Sequence, residues 1–263
     1  MIRALLKKQM MEVFSWVYKN NKSGKLRSSK GIAGYAILYL VIFGFLGIVF
    51  GFAASMLCKP LLSVGMGWLY WCLMGLISIF FGVFGSVFNT YSSLYQAKDN
   101  DLLLAMPIPA SRILFVRLSG VYMTGLMYEL ISMIPTVIIW FTAAPFSFLG
   151  TVNAVLIPFV LSLLILVLSA ALGWVVALIA TKLKRKNIIT VFISLAFFAA
   201  YYYFNSQASS ILQSILSNAE AVGNKLRTVL FLLYHMGLAA EGHPVSMLIF
   251  TSITAALTAA TYA

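Results

Sequence analysis

The chain has 263 residues, of which 62% are hydrophobic and only 9% are charged, and its formal net charge is +12. Water-soluble domains carry about a quarter charged residues, so this composition excludes an ordinary soluble fold. It predicts an all-α polytopic membrane protein, because helices satisfy every backbone polar group inside hydrocarbon and the segments lack the alternating pattern of a membrane barrel.

Residues 1–31 are predicted to form a basic amphipathic helix followed by a linker. Ile2, Leu6, Val13 and Val17 share one helical face, and the opposite face is mainly basic. A helix with these two faces is expected to lie in the membrane interface. A disordered basic tail is the alternative that the sequence leaves open.

The transmembrane domain, residues 32–263, contains apolar stretches long enough to cross a bilayer, which takes roughly 20 residues each. We predict six transmembrane helices, at residues 32–57, 66–88, 118–144, 152–180, 188–204 and 245–263. The last stretch has no charged anchor after it, a pattern compatible with the first half of a longer permease.

The distribution of Lys and Arg predicts the orientation of these spans. With six spans, the N-terminal tail and the connections after spans two and four share one side and hold fifteen basic residues, against three on the other side. The N-terminus is therefore expected in the cytoplasm of a multi-pass protein of the cell membrane, of bacterial type. The basic loop 181–187 is expected to meet anionic lipid head groups, so the net charge requires no nucleic acid.

The connection between spans two and three, residues 95–117, is called the elbow below. Its acidic start suits the N-cap of a short apolar helix that Pro107 ends, and Pro109 suits the first turn of the next helix. The apolar ridge either enters a groove on a partner protein or lies against lipid head groups, and the stiff prolines favour the partner. The residues expected to make this contact are Lys98, Asp99, Asn100, Asp101, Leu102, Leu103, Leu104, Met106, Pro107, Ile108, Pro109 and Arg112.

The sequence contains no recognisable ATPase or hydrolase motif. It contains no P-loop, zinc-protease helix or nucleophile elbow. His235 and His243 have only Glu241 as a possible third ligand, so they do not predict a metal site, which needs three or four convergent donors. We therefore expect a chain that is not an enzyme and that holds no cofactor or metal.

Glu129 is the ionisable residue expected deep inside a span, near the bilayer centre. The sequence leaves three roles open for it: a structural hydrogen bond between helices, a place on a substrate path, or a proton relay. Small residues in the first two spans predict close helix packing, within the chain or at a subunit interface. They are Gly47 and Gly51 in span one, and Gly75, Ser78, Gly82 and Gly85 in span two.

This plan resembles the membrane subunit of a type-2 ABC exporter. The resemblance lies in the interfacial helix, the six spans, the elbow sequence AKDNDLLLAMPI and the long outer segment, residues 205–244. It implies that Lys98 to Arg112 act as a coupling helix that docks on a separate ABC ATPase subunit, which would bind ATP and Mg. It also implies two permease copies or halves, and short outer helices that cap the exit path.

The outer segment itself predicts two amphipathic helical pieces, the second at residues 226–238, and a surface loop resting on lipid remains the alternative. The function expected from the resemblance is a permease subunit that exports a substrate by alternating access. The alternatives are an ATP-independent secondary transporter that uses Glu129 and a membrane scaffold without a transport role. The mostly apolar spans do not identify the substrate.

Overall fold

The computed structural model describes residues 2–19, 26–95, 108–182 and 227–262, with isolated positions between 195 and 210. Four predicted features fall largely outside these residues: the elbow from residue 96 to 107, the basic loop 181–187, the fifth span, 188–204, and the outer segment from residue 205 to 226. The described part of the chain is helical, apart from short connections and one isolated bridge between Lys19 and Leu26.

The described helices number eight, and we label them in chain order. They are α1 (Ile2–Val13), α2 (Ser15–Tyr18), α3 (Ser29–Ser63), α4 (Gly67–Thr90), α5 (Ala110–Ala143), α6 (Phe148–Lys182), α7 (Phe231–Ala240) and α8 (Pro244–Tyr262). A π-helical turn, Tyr91–Tyr95, extends α4.

Five described helices, α3, α4 with its π-helical turn, α5, α6 and α8, are long and apolar enough to cross a membrane. This confirms the predicted class, an all-α polytopic membrane protein. The helices start earlier than the apolar stretches where a start signal precedes them. The Ser28 side chain caps α3 by accepting a hydrogen bond from the Gly31 backbone N–H at 3.3 Å, and α5 begins directly after Pro109, well before Leu118.

Helix α4 lies in the middle of the bundle and packs against α5, α6 and α7, while α3 packs mainly on α5. Buried residues of these helices form one large apolar core, whose biggest members include Trp71, Tyr70 and Phe250. At one end of the bundle lie the short connections α3–α4, α5–α6 and α7–α8, and we call it the α7 end. At the opposite end, the α1 end, the Tyr262 hydroxyl donates a hydrogen bond to the Ser111 carbonyl oxygen at 3.1 Å.

Helix α1 lies across the beginning of α5. Gln9 and Val13 are buried, and Leu5 packs against Ile108 and Ile113. The opposite side is charged and exposed, and there Lys8 Nζ lies 3.6 Å from Glu12 Oε1. The helix is therefore two-faced as its sequence predicts, with its apolar side resting on the bundle.

Helix α7 differs from the amphipathic helix predicted at residues 226–238. Its helical residues run from Phe231 to Ala240, and Leu233, Met236, Gly237, Ala239 and Ala240 are buried. Phe231 is its exposed position, and Leu232, Tyr234, His235 and Leu238 are half-buried, so the helix is mainly apolar on every side. Because α7 packs on α4, α6 and α8, it is part of the bundle core rather than a surface loop.

Candidate functional site: a buried carboxyl and the foot of α5

Glu129 lies on α5 and has no exposed surface. Its Oε2 accepts a hydrogen bond from the Ser162 hydroxyl of α6. Its Oε1 is buried and has no hydrogen-bond partner among the described residues. The carboxyl therefore joins α5 to α6 through one oxygen and leaves the other oxygen unsatisfied.

Hydroxyl groups continue from Glu129 along α5 towards the α7 end. Ser132 donates to the Glu129 carbonyl oxygen at 3.0 Å, and its Oγ lies 2.7 Å from Ser78 Oγ of α4. Thr136 donates to the Ser132 carbonyl oxygen at 2.8 Å, and the Tyr70 hydroxyl donates to the Thr136 carbonyl oxygen at 2.8 Å. Glu129 is thus the carboxyl at one end of a buried polar row that links α4 and α5.

A carboxylate charge at this position would be expensive. A charged side chain at the centre of a membrane helix costs at least about 2.5–3.5 kcal/mol. Arg117, the buried cation on the same helix, is twelve residues away, or roughly 18 Å by the helical rise. That distance excludes an ion pair with Glu129, so Ser162 is the polar partner that the described residues supply.

Close packing surrounds this row. A Cβ added at Gly82 would lie 2.6 Å from Ile165 Cδ1 of α6, and one at Gly85 would lie 2.5 Å from the Tyr128 ring of α5. Gly75 faces Met236 of α7, and Ser78 faces Ser132. The small residues of α4 therefore bring three neighbouring helices close within one chain.

The glycine pair of α3 also faces its own chain. A Cβ added at Gly51 would lie 3.6 Å from Pro135 Cβ, and one at Gly47 would lie 3.9 Å from the Ile131 carbonyl oxygen. Both contacts are on α5. Of the two packing alternatives that the sequence left open, the geometry at Gly47 and Gly51 matches packing within the chain.

The foot of α5 holds the described part of the elbow. Ile108 is buried in a cluster with Ile113 and Leu5, whereas Pro109 and Arg112 are exposed. The other predicted contact residues, Lys98, Asp99, Asn100, Asp101, Leu102, Leu103, Leu104, Met106 and Pro107, lie outside the described residues. Their role on a partner stays a prediction.

The Gln9 side chain of α1 bonds the π-helical turn after α4 and packs against α5. Gln9 Nε2 donates to Ser93 Oγ at 3.3 Å, and a Cβ added at Gly120 would lie 2.6 Å from the same nitrogen. Asn89 Nδ2 donates to Thr124 Oγ1 at 2.8 Å, which joins α4 to α5 nearby. Glycine at position 120 thus provides the notch that admits the Gln9 side chain.

At the α7 end, Glu241 caps α4. Its carboxylate accepts a hydrogen bond from the Trp68 backbone N–H in the first turn of α4, a position where the helix dipole favours negative charge. Burial raises the pKa of Glu241, and both the Trp68 hydrogen bond and the neighbouring His243 oppose that rise. The α7–α8 turn is thereby tied to the start of α4.

Sequence reasoning missed Ser162 as the partner of Glu129. A usable signal was present, because Asn153, Ser162 and Ser169 are the polar side chains buried along the strongly apolar α6. A polar residue in such a span tends to face protein rather than lipid. No family model, curated protein or solved structure matches the chain.

Proposed function

We propose that this membrane protein is the permease subunit of an ABC exporter of the type-2 plan. In this proposal, a separate ATPase grips the elbow, and ATP hydrolysis in that partner drives alternating access in the helix bundle. The elbow sequence and the order of the helices support the assignment.

The observation that carries the proposal is the anchoring of the elbow at its C-terminal end. Ile108 is buried together with Ile113 of α5 and Leu5 of α1. Helix α5 then continues without interruption from Ala110 to Ala143, past Glu129 and up to the α7 end. A force on the elbow would therefore act directly on one long helix that contacts α3, α4 and α6.

The same geometry explains why the chain would need an apolar elbow. A ridge that only lay against the lipid head groups could not transmit force to α5, because the lipid surface is fluid. A ridge of leucines inserted in a protein groove transmits force, since close-packed interfaces have discrete arrangements rather than continuous ones.

The test uses this chain in lipid nanodiscs together with each ABC ATPase that the source genome encodes. We expect the chain to bind one of these ATPases and to change its rate of ATP hydrolysis. Leu103→Asp, which places a charge on the ridge, is expected to abolish both effects. Leu26→Asp is the matched control, because Leu26 is an exposed leucine, 75% accessible, on the same predicted side and outside the elbow.

Two results would contradict the proposal. In the first, the ATPase binds equally well to the wild type and to Leu103→Asp. In the second, no encoded ATPase binds the chain in nanodiscs, which would leave a secondary transporter or a scaffold as the remaining functions.

A further inference from the structure

Glu129 is a carboxyl that the exporter proposal does not use. It is fully buried at the junction of three helices, with Ser162 of α6 on one oxygen and nothing described on the other. Helix α4 completes the junction. Its Ser78 contacts Ser132 of α5, and its Gly82 packs against Ile165 of α6.

The packing decides which occupant this carboxyl can take. A metal ion needs several oxygen ligands, and an amine needs room for its own atoms. Here Gly82 and Gly125 both lie against the Ile165 side chain, and a Cβ added at Gly125 would be 3.0 Å from it. A proton needs no such space. It also removes the carboxylate charge, for which the described surroundings supply no counter-ion.

We propose that Glu129 is a proton-binding site, occupied when α5 and α6 are packed together and emptied when they separate. In the packed state the neutral acid keeps its hydrogen bond with Ser162. When the interface opens to water, the proton passes to water and the carboxylate remains. Proton binding then favours the packed bundle and proton release favours the open one, whether or not an ATPase is bound.

Other titratable groups around this site do not compete with Glu129 over the neutral pH range. From α5 itself, Tyr122 is the group that interacts electrostatically with Glu129, and phenols as a class are neutral in this pH range. Of the described residues, α4 and α6 contribute Ser78, Gly82, Ser162 and Ile165 here, and α3 contributes the phenol of Tyr39 next to Tyr128. A pH response of the α5–α6 interface can therefore be assigned to one carboxyl.

The first measurement uses the unmodified chain in nanodiscs, without ATPase. Infrared spectroscopy is expected to show the carbonyl band of a protonated carboxylic acid at neutral pH. Glu129→Gln should remove that band, whereas Glu241→Gln, which alters a partly buried carboxyl at the α7 end, should leave it in place. An ionised Glu129 in the packed bundle would overturn the proposal, and this outcome is visible in the wild type alone.

The second measurement follows opening. Ser132→Cys places a thiol beside Glu129 at a position without exposed surface, in a background of Cys58→Ala and Cys72→Ser. Its modification rate, divided by that of an exposed Phe146→Cys control to correct for thiolate fraction, should rise by up to about tenfold per pH unit where the proton leaves.

Glu129→Gln separates a functional proton from a structural hydrogen bond. Glutamine imitates the neutral acid, so the corrected modification rate of the thiol introduced at position 132 should stay low and should not depend on pH. Ser162→Ala should instead raise this rate and keep its dependence on pH. A corrected rate that does not change with pH when Glu129 is intact, or that changes equally in Glu129→Gln, would overturn the proposal. Neither result depends on whether an ATPase binds the elbow.

Discussion

The two ends of the bundle are held together by different kinds of contact. At the α7 end, Trp71 and Met236 are fully buried, and the rings of Tyr70 and Trp140 stack with their centroids 5.8 Å apart. The backbone of α7 also meets the backbone of α4, at Gly237 and Trp68. At the α1 end, a flexible glutamine and a small apolar cluster join α1 to α5.

The difference indicates where motion can enter. Backbone contacts and stacked rings have few alternative arrangements, whereas Gln9 and the side chains around Ile108 can rearrange at small cost. We therefore expect the α7 end to be the more rigid end of the bundle and the α1 end, where the foot of α5 lies, to yield. The exporter proposal requires such an asymmetry.

The largest expected effect is at Gly237. A Cβ there would lie 2.9 Å from the carbonyl carbon of Trp68, a backbone atom that cannot rotate away. Gly237→Ala should destabilise the protein by about 3 kcal/mol, the upper part of the range for overpacking. Thermal unfolding in detergent measures this, with Gly44→Ala as control because nothing lies within 4 Å of its added Cβ. Equal melting temperatures would show that the α7 end yields.

A substitution at Ile113 tests the apolar cluster at the C-terminal end of the elbow. Ile113→Ala removes a buried side chain that contacts Ile108 and Leu5, and should cost about 2 kcal/mol, at the low end for core truncations because the cluster is small. Leu114→Ala, next in sequence but 36% exposed, should cost much less. If the two variants have the same melting temperature, the cluster does not anchor the elbow.

Gly120 tests whether α1 is held by a side chain that can move. Gly120→Ala should cost about 1 kcal/mol, because the added Cβ meets the Gln9 side chain rather than backbone. In the double variant with Gln9→Ala, the cost of the Gly120 change should largely disappear. Additive effects in this double-mutant cycle would mean that Gln9 does not occupy the notch.

The smallest effect concerns Glu241. Its pKa is raised above 4.5 in the folded chain, so the folded state binds the proton more tightly and stability falls as the pH rises from that value through the raised pKa. Mild acidification should therefore raise the melting temperature slightly. Glu241→Gln should remove this part of the pH response, and an unchanged response would assign it to another group.

The sequence predicted the membrane fold because continuous hydropathy is local information that no distant contact has to supply. Pro109 likewise marked the start of α5, since its fixed φ suits the first turn of a helix. The predicted amphipathic piece at residues 226–238 was wrong because it included Arg227 and Thr228, which precede the start of α7 at Phe231.

The sequence marks Ser162 as a polar residue in an apolar span, but it does not identify Glu129 as its partner. Ser162 lies on another helix, and its position opposite the carboxyl depends on how α5 and α6 are rotated about their axes. Packing between Ile165 and the glycines at 82 and 125 sets that rotation, and one sequence read alone does not contain it.

The most direct test of the account is the side of the membrane on which the elbow lies. Cys58 and Cys72 are buried, so a membrane-impermeant thiol reagent reports on introduced cysteines. Phe146→Cys, in the α5–α6 connection and 85% exposed, should react in intact cells, whereas exposed Ser111→Cys at the foot of α5 should react only after permeabilisation. The reverse pattern would place the elbow outside, beyond the reach of any ATPase, and would contradict the exporter proposal.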